Sequence, residues 1–150
     1  MTNWTCKKFV DLTPDDLYAI LRLRSEVFVV EQNCVFLDMD NKDQHCHHLM
    51  GWRDGHLVGY SRIIDAGISY VESSIGRIVS SPAARSLGVG RELLTKSIET
   101  LYLLHGKQPI RIGAQCYLTK FYESFGFVQK GEIYLEDGIE HIEMLLPIEP

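Results

Sequence analysis

The 150-residue chain is 45% apolar and 23% charged, a balance that suits one globular domain and argues against disorder. Its net charge of −5 excludes a broadly basic nucleic-acid-binding face. No apolar run approaches the ~18 residues of a membrane span. The opening MTNWTCKKFV lacks an apolar segment with a small-residue cleavage site, so a cytoplasmic protein is expected.

In chain order, alternation from Trp4 to Val10 predicts a first strand. Thr13-Pro-Asp-Asp16 reads as a helix start, with Thr13 as N-cap and Pro14 at the first helical position. That helix should run through Leu17, Ile20, Leu21, Arg24 and Phe28. Glu31 to Gln44 is irregular and acidic. Strands follow at about His47–Arg53 and His56–Ile64, joined by the hairpin signal Asp54-Gly55, and another fits Ser74 to Val79. A loop from Ser80 to Leu87 leads into a helix of about fifteen residues whose buried side carries Val89, Leu93, Leu94, Ile98 and Leu101. A short strand, Ile110 to Ala114, precedes a short helix from Leu118 to Phe125. Two last strands, near Phe127–Tyr134 and Ile139–Leu146, flank Glu136-Asp-Gly138. The order β-α-β-β-β-α-β-α-β-β predicts one α/β domain over residues 1–150, with a mixed sheet and a parallel pair around the second helix. The scattered Cys6, Cys34, Cys46 and Cys116 form no C-x-x-C pair and read as reduced thiols.

The run RSLGVGRELL, from Arg85 to Leu94, places two glycines where a loop becomes a helix. A Walker A loop would need Lys-Ser/Thr after the last glycine, but Arg91-Glu92 stand there. A dinucleotide fingerprint would need a small residue where Leu93 stands. Two readings stay open: backbone N–H groups aimed at a pyrophosphate, or a simple turn into a helix.

The segment IGRIVSSPAARSLGVGRELL resembles the acyl-CoA strand-loop-helix of the GNAT superfamily of N-acyltransferases. YLTKFYESFGFVQKGEIYLEDGIEHIEML is similar to its C-terminal half, and LRLRSEVFVVEQNCVFLDMDNKD resembles the ElaA-like subgroup. The resemblance spans nearly the whole chain. It implies a mostly antiparallel central sheet whose parallel pair splays apart to admit the acyl-CoA cosubstrate, here expected to be acetyl-CoA. It places Arg85, Leu87, Gly88, Val89, Gly90 and Arg91 at the pyrophosphate, and the strand end Ile78-Val79-Ser80 along the pantetheine arm. Gln115 stands where many members have asparagine, and Leu118 where alanine is common; both departures imply altered cofactor contacts.

The reaction implied is direct attack of a primary amine on the thioester. The Val79 N–H would stabilise the oxyanion, and Tyr122 would protonate the departing thiolate; the alternative for Tyr122 is a packed core tyrosine. A lysine-like amine needs about 4.6 kcal/mol to deprotonate at pH 7, and an α-amine about 1.4, so a base is useful. Glu72 and Glu31 are candidates, each alternatively an ordinary solvated carboxylate. The partners expected are acetyl-CoA and an amine on a small molecule or protein; a homodimer is allowed. The rival functional class is an acyl-CoA sensor or interaction module without turnover.

Two further clusters have alternative readings. His45-Cys-His-His48 contains metal-capable groups, with His45 and His47 on one strand face, but lacks standard zinc spacing and also reads as a polar strand start; no metal site is expected. Asp38, Asp40 and Asp43 could form an acidic mouth for a cationic amine or a solvated loop. Lys42 and a missing glycine spoil a calcium-loop reading.

Overall fold

The computed structural model describes residues 1–148, so the last two residues of the expected domain lie outside it. Apolar alternation sets the first sheet: β1 (Asn3–Lys8), β2 (His47–Arg53), β3 (His56–Ile64) and β4 (Ser74–Ser80) pair antiparallel in that order. Phe9 and Val10, expected in the first strand, instead enter a 3-10 turn. At Asp54-Gly55 both residues have positive φ, 50° and 76°, the left-handed pair that a tight hairpin requires. A second sheet holds β5 (Ile110–Gln115), β7 (Ile139–Leu146) and β6 (Val128–Glu136), with β7 central and both pairings antiparallel.

Helix α1 (Pro14–Arg24) begins with a capping box: Thr13 Oγ1 accepts from the Asp16 N–H, and Asp16 accepts from the Thr13 N–H. Beyond Arg24 the chain winds as a seven-residue π-helix, Ser25–Glu31. The wider turn changes which side chains face inward, a register that apolar spacing alone does not reveal. Ile20, Leu23 and Val27 bury against Met50, Tyr60 and Val79 on one face of the first sheet.

Helix α2 (Val89–His105) covers the other face. Leu94 and Leu101 join Ile63, Ile75, Ile110, Ile112, Phe127 and Met144 in a core that spans both sheets. Ser97 is buried on this side and bonds Ser61 of β3, Oγ to Oγ, at 2.7 Å, while Ile98 is only partly buried. The short helix α3 (Thr119–Glu123) follows a 3-10 turn at Cys116–Leu118, so the expected helix from Leu118 to Phe125 is shorter than its pattern.

The two sheets meet at one parallel bridge, Ser73 to Ile110, where the Arg111 N–H donates to the Ser73 carbonyl at 3.0 Å. These are the starting ends of β4 and β5. Toward Ser80 and Gln115 the strands part, which is the expected splay. None of the described helices is long and apolar enough to cross a membrane.

Candidate active site

A cleft of about 900 Å³ occupies the gap between the parted strands. That is room for a substantial ligand, since small-molecule sites run from about 300 to 1,000 Å³. Its walls include Ile75 to Ser80 of β4, Ile112, Gly113 and Gln115 of β5, and Tyr122 of α3.

A β-bulge shapes the β4 wall. Tyr60 pairs with Val79 and Arg62 with Gly76, so Arg77 and Ile78 together oppose Ser61. Arg77 has φ 50°, a left-handed conformation costly for a residue with a Cβ. An extra residue kinks its strand and interrupts the ladder, a device that re-aims backbone groups beside active sites. The Arg77 side chain is anchored by Asp38, Nε to Oδ1 at 2.8 Å, and by the Asp38 carbonyl at 2.8 Å. Val79 turns its side chain into the core with Ile20 and Tyr60, so any contribution to the cleft comes from its backbone. Ile78 and Ser80 line the cleft.

Tyr122 is 5% exposed and lines the cleft. Its ring packs edge-on to Phe121 and Phe127 at centroid distances of 5.4 and 5.8 Å. Burial, helped by Tyr117, pushes its phenol well above the ordinary tyrosine range. It therefore carries its proton throughout the neutral range. It is thus at once a packed core tyrosine and a residue of the cleft lining.

The glycine loop divides. Arg85 lines the cleft, whereas Leu87 is half exposed and Val89 buries its side chain against Val58, Ala84 and Trp4. Gly88 caps α2 in the left-handed region, φ 73°, with no side chain capping the helix. The first N–H groups of α2 thus have no side-chain acceptor at the cap, and added Cβ atoms at Gly88 and Gly90 would meet open space. Such an end favours an anion. Arg91 leans away, donating to Ser124 Oγ at 3.1 Å and lying 4.6 Å from the Phe125 ring centroid.

The two base candidates separate. Glu31 lines the cleft but receives the Arg85 guanidinium, Nη1 to Oε2 at 2.8 Å. That hydrogen bond holds its carboxyl below the usual range. Glu72 does not line the cleft and is gripped in bidentate fashion by Arg111, at 3.0 and 3.1 Å. The Arg111 hydrogen bond lowers its carboxyl as well. The expectation that Glu72 serves the site is corrected on both grounds, position and basicity.

The acidic segment is neither an open mouth nor a solvated loop. Asp38 and Asp43 are buried. Arg24, completely buried, donates to Asp38 Oδ2 and Asp43 Oδ1, each at 2.8 Å. Arg62 bonds Asp40 at 2.8 Å and Asp43 at 2.9 Å. Three arginines thus neutralise three aspartates, with Arg24, Asp38 and Asp43 off the cleft lining and Arg62, Arg77 and Asp40 in it. The histidine cluster also resolves: His45 sits in a 3-10 turn before β2, not on the strand with His47. Both ring nitrogens of His48 are engaged, with Tyr60 Oη at 2.7 Å and the Asp43 carbonyl at 2.8 Å.

On the far wall the sequence points to Gln115 but not to Tyr70, Tyr134 or His141. Gln115, His141 and Tyr134 pair across β5, β7 and β6 in one row and all line the cleft. Gln115 exchanges hydrogen bonds with Gln32 at 3.3 Å. Tyr70 also lines this wall, and its hydroxyl and that of Tyr134 crowd the space above Gly113. The available signal was strand pairing: the turn at Asp137-Gly138 fixes the β6–β7 register, but no contact across β5 can be read from it.

A parallel pair that splays around a cleft and a bulged strand along its wall precede an α2 start without a side-chain cap, and comparison with known proteins shows the family to which this fold belongs. The acetyltransferase (GNAT) domain family matches residues 15–147. The chain belongs to the GNAT family. Protein ElaA of Escherichia coli is 41% identical over 146 residues, 96% of this chain and 95% of that one. An acyl-CoA N-acyltransferase structure from Pseudomonas aeruginosa superposes with a TM-score of 0.92 at 44% identity, covering 97% of this chain and 99% of that chain. The crystal structure of Escherichia coli ElaA gives 0.90 at 40% identity, with the same coverage. This GNAT domain is accordingly an N-acyltransferase of the acyl-CoA-using type.

Proposed function

We propose that the protein transfers an acetyl group from acetyl-CoA to a primary amine by direct attack on the thioester. The observation that carries this reading is the splay: a parallel bridge from Ser73, just before β4, to Ile110 of β5 holds the strands at their starts, and beyond it they open a cleft that Tyr122 lines. An acyl-pantetheine arm laid along Ile78-Val79-Ser80 would add to β4 as an extended strand does. Arg85 and the uncapped start of α2, through Gly88, Val89 and Gly90, would hold the pyrophosphate. Leu87, Arg91 and Gln115 would border the cofactor, Arg91 from outside the cleft lining.

With the thioester carbonyl beside the bulge, a β4 backbone N–H that faces the cleft donates to the oxygen as it becomes an oxyanion. Val79, the residue the sequence suggests, pairs with Tyr60 two steps along the ladder from the Ser81–Val58 bond, which turns its N–H toward β3. The amine nitrogen bonds to the carbonyl carbon, the C–S bond breaks, and Tyr122 gives its proton to the leaving sulfur. Burial keeps that phenol protonated until the thiolate forms. No covalent enzyme intermediate is needed.

The test is a panel of α-amines and alkylamines offered with acetyl-CoA, following free thiol release and product mass. Acetylated product with stoichiometric thiol supports the proposal. Tight acetyl-CoA binding with no turnover on any amine supports the sensor class instead.

A further inference from the structure

We infer that His141 is the base that receives the acceptor amine's proton, with Nε2 as the accepting atom. This rests on the transfer reaction proposed above and adds a residue to it.

The geometry fixes the tautomer. His141 Nδ1 lies 2.8 Å from the Ile139 carbonyl oxygen. A carbonyl can only accept, so Nδ1 carries the hydrogen and Nε2 presents its lone pair. The residue is 7% exposed, yet it lines the cleft, so its free nitrogen has access to a ligand more than to bulk water. Tyr134 stacks on the ring, centroid to centroid 5.7 Å at 25°, and fixes its plane. The Glu136 carboxylate stands 3.6 Å from Nε2, where it attracts the positive charge that the imidazole acquires on taking a proton. This is the arrangement of an oriented base: one nitrogen held, one offered, and a carboxylate to stabilise the cation.

Among the carboxylates that line the cleft, Glu31 is occupied by Arg85 and Asp40 by Arg62, while Glu136 stands beside Nε2 and Asp137 lies in the β6–β7 turn. The charged and titratable groups around His141 are Tyr134 and Glu136 of β6, Asp137 in the turn, and Glu140 on its own strand. Beyond these lie Tyr70, whose hydroxyl approaches that of Tyr134, and Cys34, whose thiol bonds the Asp137 carbonyl at 3.1 Å.

The proton balance closes. An ammonium acceptor gives one proton to Nε2, which later passes it to water. The neutral amine attacks, and its nitrogen loses a second proton as the amide forms. Tyr122 protonates the thiolate and recovers that second proton, so the products are amide, free thiol and one released proton.

The test is His141→Asn with the best acceptor from the amine panel. The asparagine amide nitrogen takes the place of Nδ1 and still donates to Ile139, so the turn is kept while the base is lost. At pH 7 kcat/KM should fall roughly 10²-fold, with acetyl-CoA affinity unchanged. Above the acceptor's own pKa the amine needs no base, and the deficit should narrow to under about tenfold. A merely structural role predicts a deficit that does not vary with pH, and that result would overturn the inference. Full kcat/KM at pH 7 in the variant would also overturn it, while the transfer reaction would stand. A wild type that acetylates no amine would remove the reaction and the base together.

Discussion

Arg85 and Glu31 grip each other at the edge of the cleft, Nη1 2.8 Å from Oε2, so the residue we propose for the pyrophosphate is already held by a carboxylate. The pair is well exposed, 44% and 40% at the side chains, and such pairs contribute little to stability. Its consequence is competition: a bound diphosphate and Glu31 would share one guanidinium. Glu31→Gln should therefore tighten acetyl-CoA binding about three- to tenfold by calorimetry, with kcat within about twofold of wild type. A roughly 10²-fold loss of kcat would instead make Glu31 the base.

The two loop glycines should respond differently. Gly88 has φ 73°, and a side chain there costs about 1–2 kcal/mol. Gly90 lies in the first turn of α2 with a free space beside it. Gly90→Ala should leave the melting temperature unchanged or raised by a few degrees. It should still weaken acetyl-CoA by at least about tenfold if its backbone approaches the phosphates. Unchanged affinity in the stable Gly90→Ala protein would detach this turn of the helix from the cofactor.

Much of this fold is legible in the sequence, because period-2 alternation and turn chemistry carry it. The Asp54-Gly55 hairpin and the Thr13 cap sit where their local signals put them. The π-helix from Ser25 to Glu31 is not legible, since apolar spacing over seven residues does not distinguish π from α winding. That winding brings Glu31 and Gln32 to the cleft. The aspartate–arginine cluster was hidden for another reason. Its contacts join residues 14 to 39 positions apart, and a charged triplet in an irregular segment looks solvated until its partners are seen. The far wall of the site depended on β7 lying between β5 and β6, a long-range choice that chain order leaves open.

That cluster predicts how stability follows pH. Burial alone would raise the Asp43 carboxyl, but hydrogen bonds and charge from Arg24 and Arg62 outweigh it, so the folded value lies below the ordinary one. The same holds for Asp40, which faces Arg62. A lowered folded value means that the stabilisation is complete above the unfolded carboxylate range, near pH 4, and is lost as pH falls below it. Urea midpoints should be flat from pH 7 to about 5 and drop steeply below 4. Asp43→Ala takes one carboxylate partner from each of the buried Arg24 and Arg62, which keep Asp38 and Asp40, and should cost about 1.5–3 kcal/mol at pH 7. Neutralising the aspartates should thus damage folding before it changes KM for a cationic amine, unlike an acidic mouth. A variant of wild-type stability would contradict the buried network.

The last prediction concerns Tyr122. Tyr122→Phe preserves the ring that packs against Phe121 and Phe127 and removes only the hydroxyl. Because the residue sits in the core that joins the two sheets, a larger change would confuse folding with chemistry. Loss of the proton donor should lower kcat by roughly 10²-fold while acetyl-CoA affinity stays within about twofold. Burial raises the phenol far above neutrality, so its deprotonation cannot produce a fall in rate between pH 7 and 9. Any such fall should persist unchanged in Tyr122→Phe. A thioester with a more acidic leaving thiol needs its proton less, and with such a donor the variant should recover most of its rate. Full kcat in Tyr122→Phe, with chemistry shown by single-turnover kinetics to limit the rate, would assign the proton to water. The cleft, the bulge and the helix start would then remain as the binding site for the acyl donor.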